Sequence, residues 1–167
     1  MAENMKNLTT PIKNKDLKKL TLGDKISISG TIYTGRDAAL PKLVRLIEKD
    51  EMPFDLNGSA IMHTAFSEAG IAPTTSSKKE IESSICPLSK AGVKIHIGKG
   101  MLSENTINCL KENNSIFVIT PPVAALLTSK VYKKECVLFE NEGMEAMFKL
   151  KVKNIPGIVA IQDGKKI

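Results

Sequence analysis

The stretch 24–51, DKISISGTIYTGRDAALPKLVRLIEKDE, changes its period half-way along, and that change decides the fold. Ile26, Ile28 and Ile32 alternate with polar neighbours, with Gly30 in phase, which is the two-residue period of a strand. After Gly35 the apolar positions become Leu40, Leu43, Val44 and Ile47, the spacing of an amphipathic helix. Leu22-Gly23-Asp24 reads as the turn that leads into the strand. Asp37 stands where a helix N-cap is expected, and Pro41 is tolerated in a first turn whose backbone N–H groups lack partners anyway. A strand that runs directly into a helix is a building unit of α/β domains.

Working outward, the alternation repeats. AIMHTAF (60–66) reads as a short buried strand after the loop MPFDLNGS. Ser77 and Glu80 have the spacing of a capping box, so a helix is expected from about Lys78 to Lys90, with Ile81, Ile85 and Leu88 inward and Ala91-Gly92 closing it. VKIHIG (93–98) alternates as a strand, Ser103 caps the helix ENTINCLKEN, and SIFVIT (115–120) is an apolar strand. Thr120-Pro121-Pro122 is expected to start a helix VAALLTSKVY. CVLFE, FKLKVKN and GIVAIQDG complete the strands. SIFVIT and GIVAI read as covered on both faces, whereas KLKV and VLFE suit antiparallel pairing. The fold class is therefore α/β, with a polar, weakly patterned N-terminal arm (1–20) and one domain over 21–167.

Length and composition agree. A chain of 167 residues with 42% hydrophobic and 25% charged residues suits one globular domain. No apolar run approaches the ~20 residues of a membrane span, and the N-terminus lacks the apolar core of a signal peptide, so a cytoplasmic protein with no membrane partner is expected. Cys86, Cys109 and Cys136 lie far apart without a C-x-x-C pair; an odd count in such a chain argues for free thiols. Their spacings are unlike iron–sulfur ligand runs. A net charge of +6 invites a nucleic-acid reading, but with aromatics at 4% and no Trp the stacking platforms are missing, and no nucleic-acid partner is expected. A basic surface favours small polyanionic substrates instead.

Three loops combine charge with small residues: Gly35-Arg36-Asp37 after a strand, Ala72-Pro73-Thr74-Thr75 at a helix start, and Gly98-Lys99-Gly100 after a strand. Ligands of α/β sheets lie beyond the carboxyl ends of strands, and helix N-termini suit carboxylate or phosphate. Arg36 offers a bidentate grip on a carboxylate, while Lys78 and Lys99 act as point charges. Each loop alone is equally an ordinary turn or cap, and no nucleotide-phosphate motif is present. His63 and His96 read as strand histidines with a local hydrogen bond, and no metal-ligand set is expected.

Taken together, GRDAA, PTTS, GKG and GMEA occur in that order, within LGDKISISGTIYTGRDAA, PFDLNGS, GVKIHIGKG, NEGMEAMFKLKV and IPGIVAIQDGK. From about Leu22 to Gly164 the chain resembles the beta subunit of class I iron–sulfur fumarate hydratase and of L-tartrate dehydratase, the unit that forms the C-terminal domain of the single-chain enzymes.

The resemblance implies a swivelling β/β/α domain that works against an alpha subunit, in a two-alpha, two-beta assembly, with a four-iron four-sulfur cluster carried by that partner. It implies reversible hydration of a four-carbon dicarboxylate, fumarate/malate first among them. By motif, Arg36 and Lys99 bind substrate carboxylates, Thr74 is the base, and Asp37, Thr75 and Lys78 belong to the substrate site. A threonine hydroxyl is a very weak base unless a neighbouring base and positive field activate it. The chain departs from the family pattern at Lys78, where an arginine is usual, at Leu40, where a histidine commonly follows GRDAA, at Ala65-Phe66 in place of Gly-Pro, and at Pro121-Pro122. A diverged, non-catalytic paralogue that keeps the fold as an anion- or partner-binding module is the alternative these departures leave open.

Overall fold

The computed structural model describes residues 5–72, 79–121 and 123–167, without the side chain of Glu80. In chain order its elements are β1 (Lys6–Thr9), α1 (Asn14–Lys18), β2 (Lys25–Thr34), α2 (Leu40–Glu48), β3 (Ala60–Met62), β4 (Phe66–Ser67), β5 (Gly70–Ile71) and α3 (Lys79–Lys90). There follow β6 (Ile95–Gly98), α4 (Glu104–Glu112), β7 (Ile116–Ile119), α5 (Ala124–Thr128), β8 (Val131–Leu138), β9 (Met147–Gln162) and β10 (Lys165–Lys166). A 3-10 turn, Glu140–Glu145, links β8 to β9.

Strands β2, β3, β6 and β7 lie side by side and parallel. Long β9 runs antiparallel to both β7 and β2, so the pairing closes on itself as β2–β3–β6–β7–β9–β2. The two-residue period now has its reason. Ile26, Ile28, Ile32, Met62, Ile95, Ile97, Val118, Leu150 and Val152 point to a shared interior and are buried in one cluster. Their outward-facing neighbours Ile61, Phe117 and Ile161 pack beneath helices α2, α3 and α4 instead, in two further clusters.

Several expectations need revision. Leu8, Ile12, Leu17 and Leu20 are buried, and β1 pairs in parallel with β2, so the described part of the N-terminal segment lies on the domain and adds a strand to its sheet. Asp37 is not the N-cap of α2: the helix begins at Leu40 with Ala39 at the cap position and no side-chain cap. The helix after Pro122 is only five residues long, because Val131 already pairs with β9 and Val131 and Tyr132 belong to β8. FKLKVKN and GIVAIQDG are one strand, continuous through Asn154 at φ 58°. Cys86 and Cys109 are not free thiols. They form a disulfide between α3 and α4, joining cysteines with a sequence separation of 23 on helices that the outer layer packs together.

Ser103 behaves as expected: its Oγ accepts from Thr106 N at the start of α4. The Ser77–Glu80 capping box lies outside the described residues.

Candidate active site

The parallel strands end at one edge, and that edge gathers the polar loops. Gly35 follows β2, His63 and Thr64 follow β3, Lys99 follows β6 and Thr120 follows β7. Gly35 N donates to Met62 O (3.1 Å) and His63 N to Ile97 O (2.7 Å), so the three loops begin on neighbouring strand ends. Gly35 and Gly98 are two strand spacings apart, about 10 Å.

Arg36, half-buried, is held by Glu145: Nη2 and Oε2 are 2.8 Å apart, with the two side chains 27% and 29% exposed. Glu145 comes from the 3-10 turn, next to a second ion pair, Lys42–Glu142, that ties the same turn to α2. Asp37 is half-buried in the turn beside Arg36. Lys99 is exposed and has no ion-pair partner among the described residues. Thr74, Thr75 and Lys78 lie outside the described residues. The residue at the near end of their loop does not: Ala72 O accepts from Thr64 Oγ1 (2.7 Å), and Ala72 N donates to Ala65 O (3.1 Å). At the far end, Glu82 of α3 accepts from Ser103 N (2.8 Å) and Thr106 Oγ1 (2.7 Å), which joins the start of α3 to the start of α4. Those hydrogen bonds outweigh the desolvation that opposes them and hold the Glu82 carboxyl below its usual range.

The same edge concentrates buried polar atoms with no hydrogen-bond partner among the described residues: Thr34 Oγ1, both ring nitrogens of His63, Thr120 Oγ1 and Glu145 Oε1. Buried polar groups are nearly always paired, so a cluster of unpaired ones marks a place where a ligand or partner is expected. Beside Lys99 a cavity of about 560 Å³ opens, walled mainly by Met101, Leu102, Phe117, Ile119 and Ile161.

Burial lowers the pKa of His63 to about 4 and, with the neighbouring His63 adding to it, that of His96 to about 3. His96 has the expected local bond, Nε2 to Ser89 Oγ at 2.7 Å; the ring of His63 does not. Leu40 is fully buried, with Cδ2 3.0 Å from where a Cβ on Gly35 would sit, so the position belongs to the core under the Arg36 turn.

The family model described as Fumarase C-terminus matches residues 2–167. The chain belongs to that family. The L(+)-tartrate dehydratase subunit beta of Escherichia coli K12 is 34% identical over 169 residues, covering 93% of this chain and 82% of that protein. A Methanocaldococcus jannaschii protein provisionally named L(+)-tartrate dehydratase subunit beta is 31% identical over 166 residues, covering 91% and 84%. A Geobacillus stearothermophilus protein provisionally named class I fumarate hydratase is 28% identical over 172 residues, covering 92% of this chain and 31% of that protein.

For a fumarase C-terminus chain the donor inventory is informative. Cys86 and Cys109 are joined, Cys136 stands exposed on β8, and no three His, Cys, Asp or Glu among the described residues converge to hold a metal. The described residues of this chain do not fit an iron–sulfur cluster. Glu145, His63 and Thr64 are the residues that sequence reasoning did not place in the site. Glu145 lay within the GMEA motif, but nothing local to it pointed to Arg36.

Proposed function

We propose that this chain is the beta subunit of a hydro-lyase that adds water to, or removes it from, a four-carbon dicarboxylate, with L-tartrate and fumarate/malate as the substrates to test. The observation that carries it is the convergence of the Arg36 and Lys99 turns, with the anchored start of the Thr74 loop, on adjoining strand ends. The names of the relatives support the same reaction class. Arg36, oriented by Glu145, grips one carboxylate through its guanidinium, and Lys99 and Lys78 supply point charges for the other. That positive field stabilises the charge that develops as Thr74, with a base from the alpha subunit, takes a proton from the carbon beside a carboxylate. Asp37 and Thr75, the sequence neighbours of Arg36 and Thr74, complete the proposed set of substrate residues. In this reading a four-iron four-sulfur cluster would be held by the alpha subunit and would supply Lewis-acid chemistry toward the substrate hydroxyl. In this reading the domain swivels as a β/β/α unit against the partner, in a two-alpha, two-beta assembly in the cytoplasm.

The test is anaerobic co-expression with the cognate alpha subunit, cluster reconstituted, followed by assays on L-tartrate, fumarate and mesaconate. Turnover of one of them, lost in both Thr74→Ala and Arg36→Ala, is the expected result. A stable, cluster-loaded complex that turns over none of them would sink the hydro-lyase reading in favour of a non-catalytic paralogue.

A further inference from the structure

His63 and Thr64 stand side by side at the end of β3, between the two loops that the proposed site requires. Both are fully buried. Each holds a different loop by a different interaction. The imidazole of His63 lies against the Lys99 turn: its Nδ1 is 2.6 Å from where a Cβ on Gly98 would sit, and Phe117 Cζ is 3.0 Å from the same point. Only glycine fits there, because the flat ring occupies the space a side chain would need. The His63 backbone adds a hydrogen bond to Ile97 O on the adjoining strand (2.7 Å). Thr64 faces the other loop, and its hydroxyl donates to Ala72 O (2.7 Å), two residues before Thr74.

The His63 ring is costly where it stands. Neither nitrogen has a hydrogen-bond partner among the described residues, and its ring neighbours are His96 at 6.2 Å and Phe117 at 6.1 Å between centroids. A leucine of similar volume would bury no unpaired polar atom, so stability alone favours an apolar residue. What leucine lacks is the thin edge that lets the Gly98 backbone pass so closely. Residues that trade stability for a site are expected where function needs a defined geometry.

We propose that His63 and Thr64 are positioning residues with separate charges: His63 sets the course of the Gly98-Lys99 turn, and Thr64 sets the start of the Thr74 loop. The inference rests on the proposed dicarboxylate site, and it separates the two loops. Displacing Lys99 chiefly weakens the grip on the ligand. Displacing the loop that begins at Ala72 slows proton removal by Thr74 and, because Thr75 and Lys78 belong to the same loop, also weakens the grip.

The experiment compares His63→Leu and Thr64→Val with wild type, each in the cluster-loaded complex with the alpha subunit. Calorimetric titration with L-tartrate and fumarate gives Kd, assays give kcat, and thermal melting gives stability. The Ala72 amide donates to Ala65 O, so its hydrogen exchange reports whether loss of the Thr64 clamp on Ala72 O loosens the start of that loop. A shift of the order of 1 Å in a binding or catalytic group commonly costs ten- to a hundredfold. His63→Leu should therefore weaken Kd by about tenfold or more, keep kcat within about threefold and melt no lower than wild type. Thr64→Val should lower kcat by about tenfold, weaken Kd as well and speed exchange at Ala72. Wild-type affinity in His63→Leu, or an unchanged kcat in Thr64→Val, would overturn the division. If wild type binds a dicarboxylate without turnover, the hydro-lyase reading fails, while Kd and Ala72 exchange still judge the two residues. If wild type binds neither acid, Lys99 has no ligand to be positioned for and this inference falls as well.

Discussion

Arg36 and Glu145 meet at 2.8 Å at one end of the β2–β9 strand pair, one just after β2 and the other just before β9. The pair is about a quarter exposed, so its direct contribution to stability is no more than about 1 kcal/mol. Its effect on geometry is larger, because it fixes the direction in which the guanidinium points. Glu145→Gln should weaken dicarboxylate binding by up to about tenfold with a nearly unchanged melting temperature, and Arg36→Ala should cost about ten- to a hundredfold. Titration calorimetry and thermal melts check both. Tighter binding in Glu145→Gln would show that the glutamate competes with the ligand instead of orienting its receptor.

Thr74 and Lys99 should fail differently. Thr74→Ala removes the proposed base and should lower kcat by about 10²–10⁴ with Kd little changed. Lys99→Ala removes a charge present in both ground and transition states, so it should chiefly raise KM. Lys78→Arg restores a planar fork and is expected to tighten carboxylate binding a few-fold. Steady-state kinetics on the alpha–beta complex separate these cases.

The buried histidines give the protein an acid limit. In the unfolded chain both titrate near 6.5, whereas in the folded chain their values are about 4 and about 3. Below pH 6.5 the unfolded state binds the extra protons, so the stability due to neutral burial is complete above that pH. It is lost as the pH falls toward the folded values, with roughly 3 kcal/mol at stake for His63. Denaturant melts from pH 7 to pH 4 should show this slope, and His63→Leu should flatten it. A slope unchanged in that variant would assign the acid loss to His96 and to carboxylates such as Asp24 and Glu82, both held below their usual range.

The Cys86–Cys109 disulfide closes a loop across a sequence separation of 23. Cys86→Ser with Cys109→Ser should destabilise the chain by up to about 3 kcal/mol, read from denaturant melts under non-reducing conditions. An excess of dithiol should move wild type to the double variant's midpoint and leave the variant unmoved. Equal midpoints for oxidised wild type and the double variant would show that α3 and α4 are held by Glu82 and apolar packing alone.

Much of the fold is legible in the chain. The period of Ile26, Ile28 and Ile32 and the later helical spacing around Leu43 give element types, because each depends on which face of its own backbone is buried. The Gly35-Arg36 and Gly98-Lys99 turns were legible as turns for a related reason: both sit where a strand stops. The misplacements were local signals that tertiary pairing overrode. VAALLTSKVY has helical composition, yet Val131 onward is drawn into β8 because β9 offers an open edge. Two apolar runs that read as separate strands are one, since β9 passes through Asn154 with positive φ.

By itself the sequence determined the α/β class, the central strands β2, β3, β6 and β7 with the helices α2, α3 and α4 between them, the Ser103 cap and the charged turns. These follow from periodicity and side-chain chemistry within about a dozen neighbours. Only the tertiary structure decided that Glu145 reaches Arg36, that Cys86 meets Cys109, and that His63 lies beneath Gly98 with its nitrogens unpaired. The reason is physical. Those contacts exist because β9 closes the strand ring and helices pack on its outer face, and ring closure is a property of non-local hydrogen bonds that no stretch of the chain carries alone.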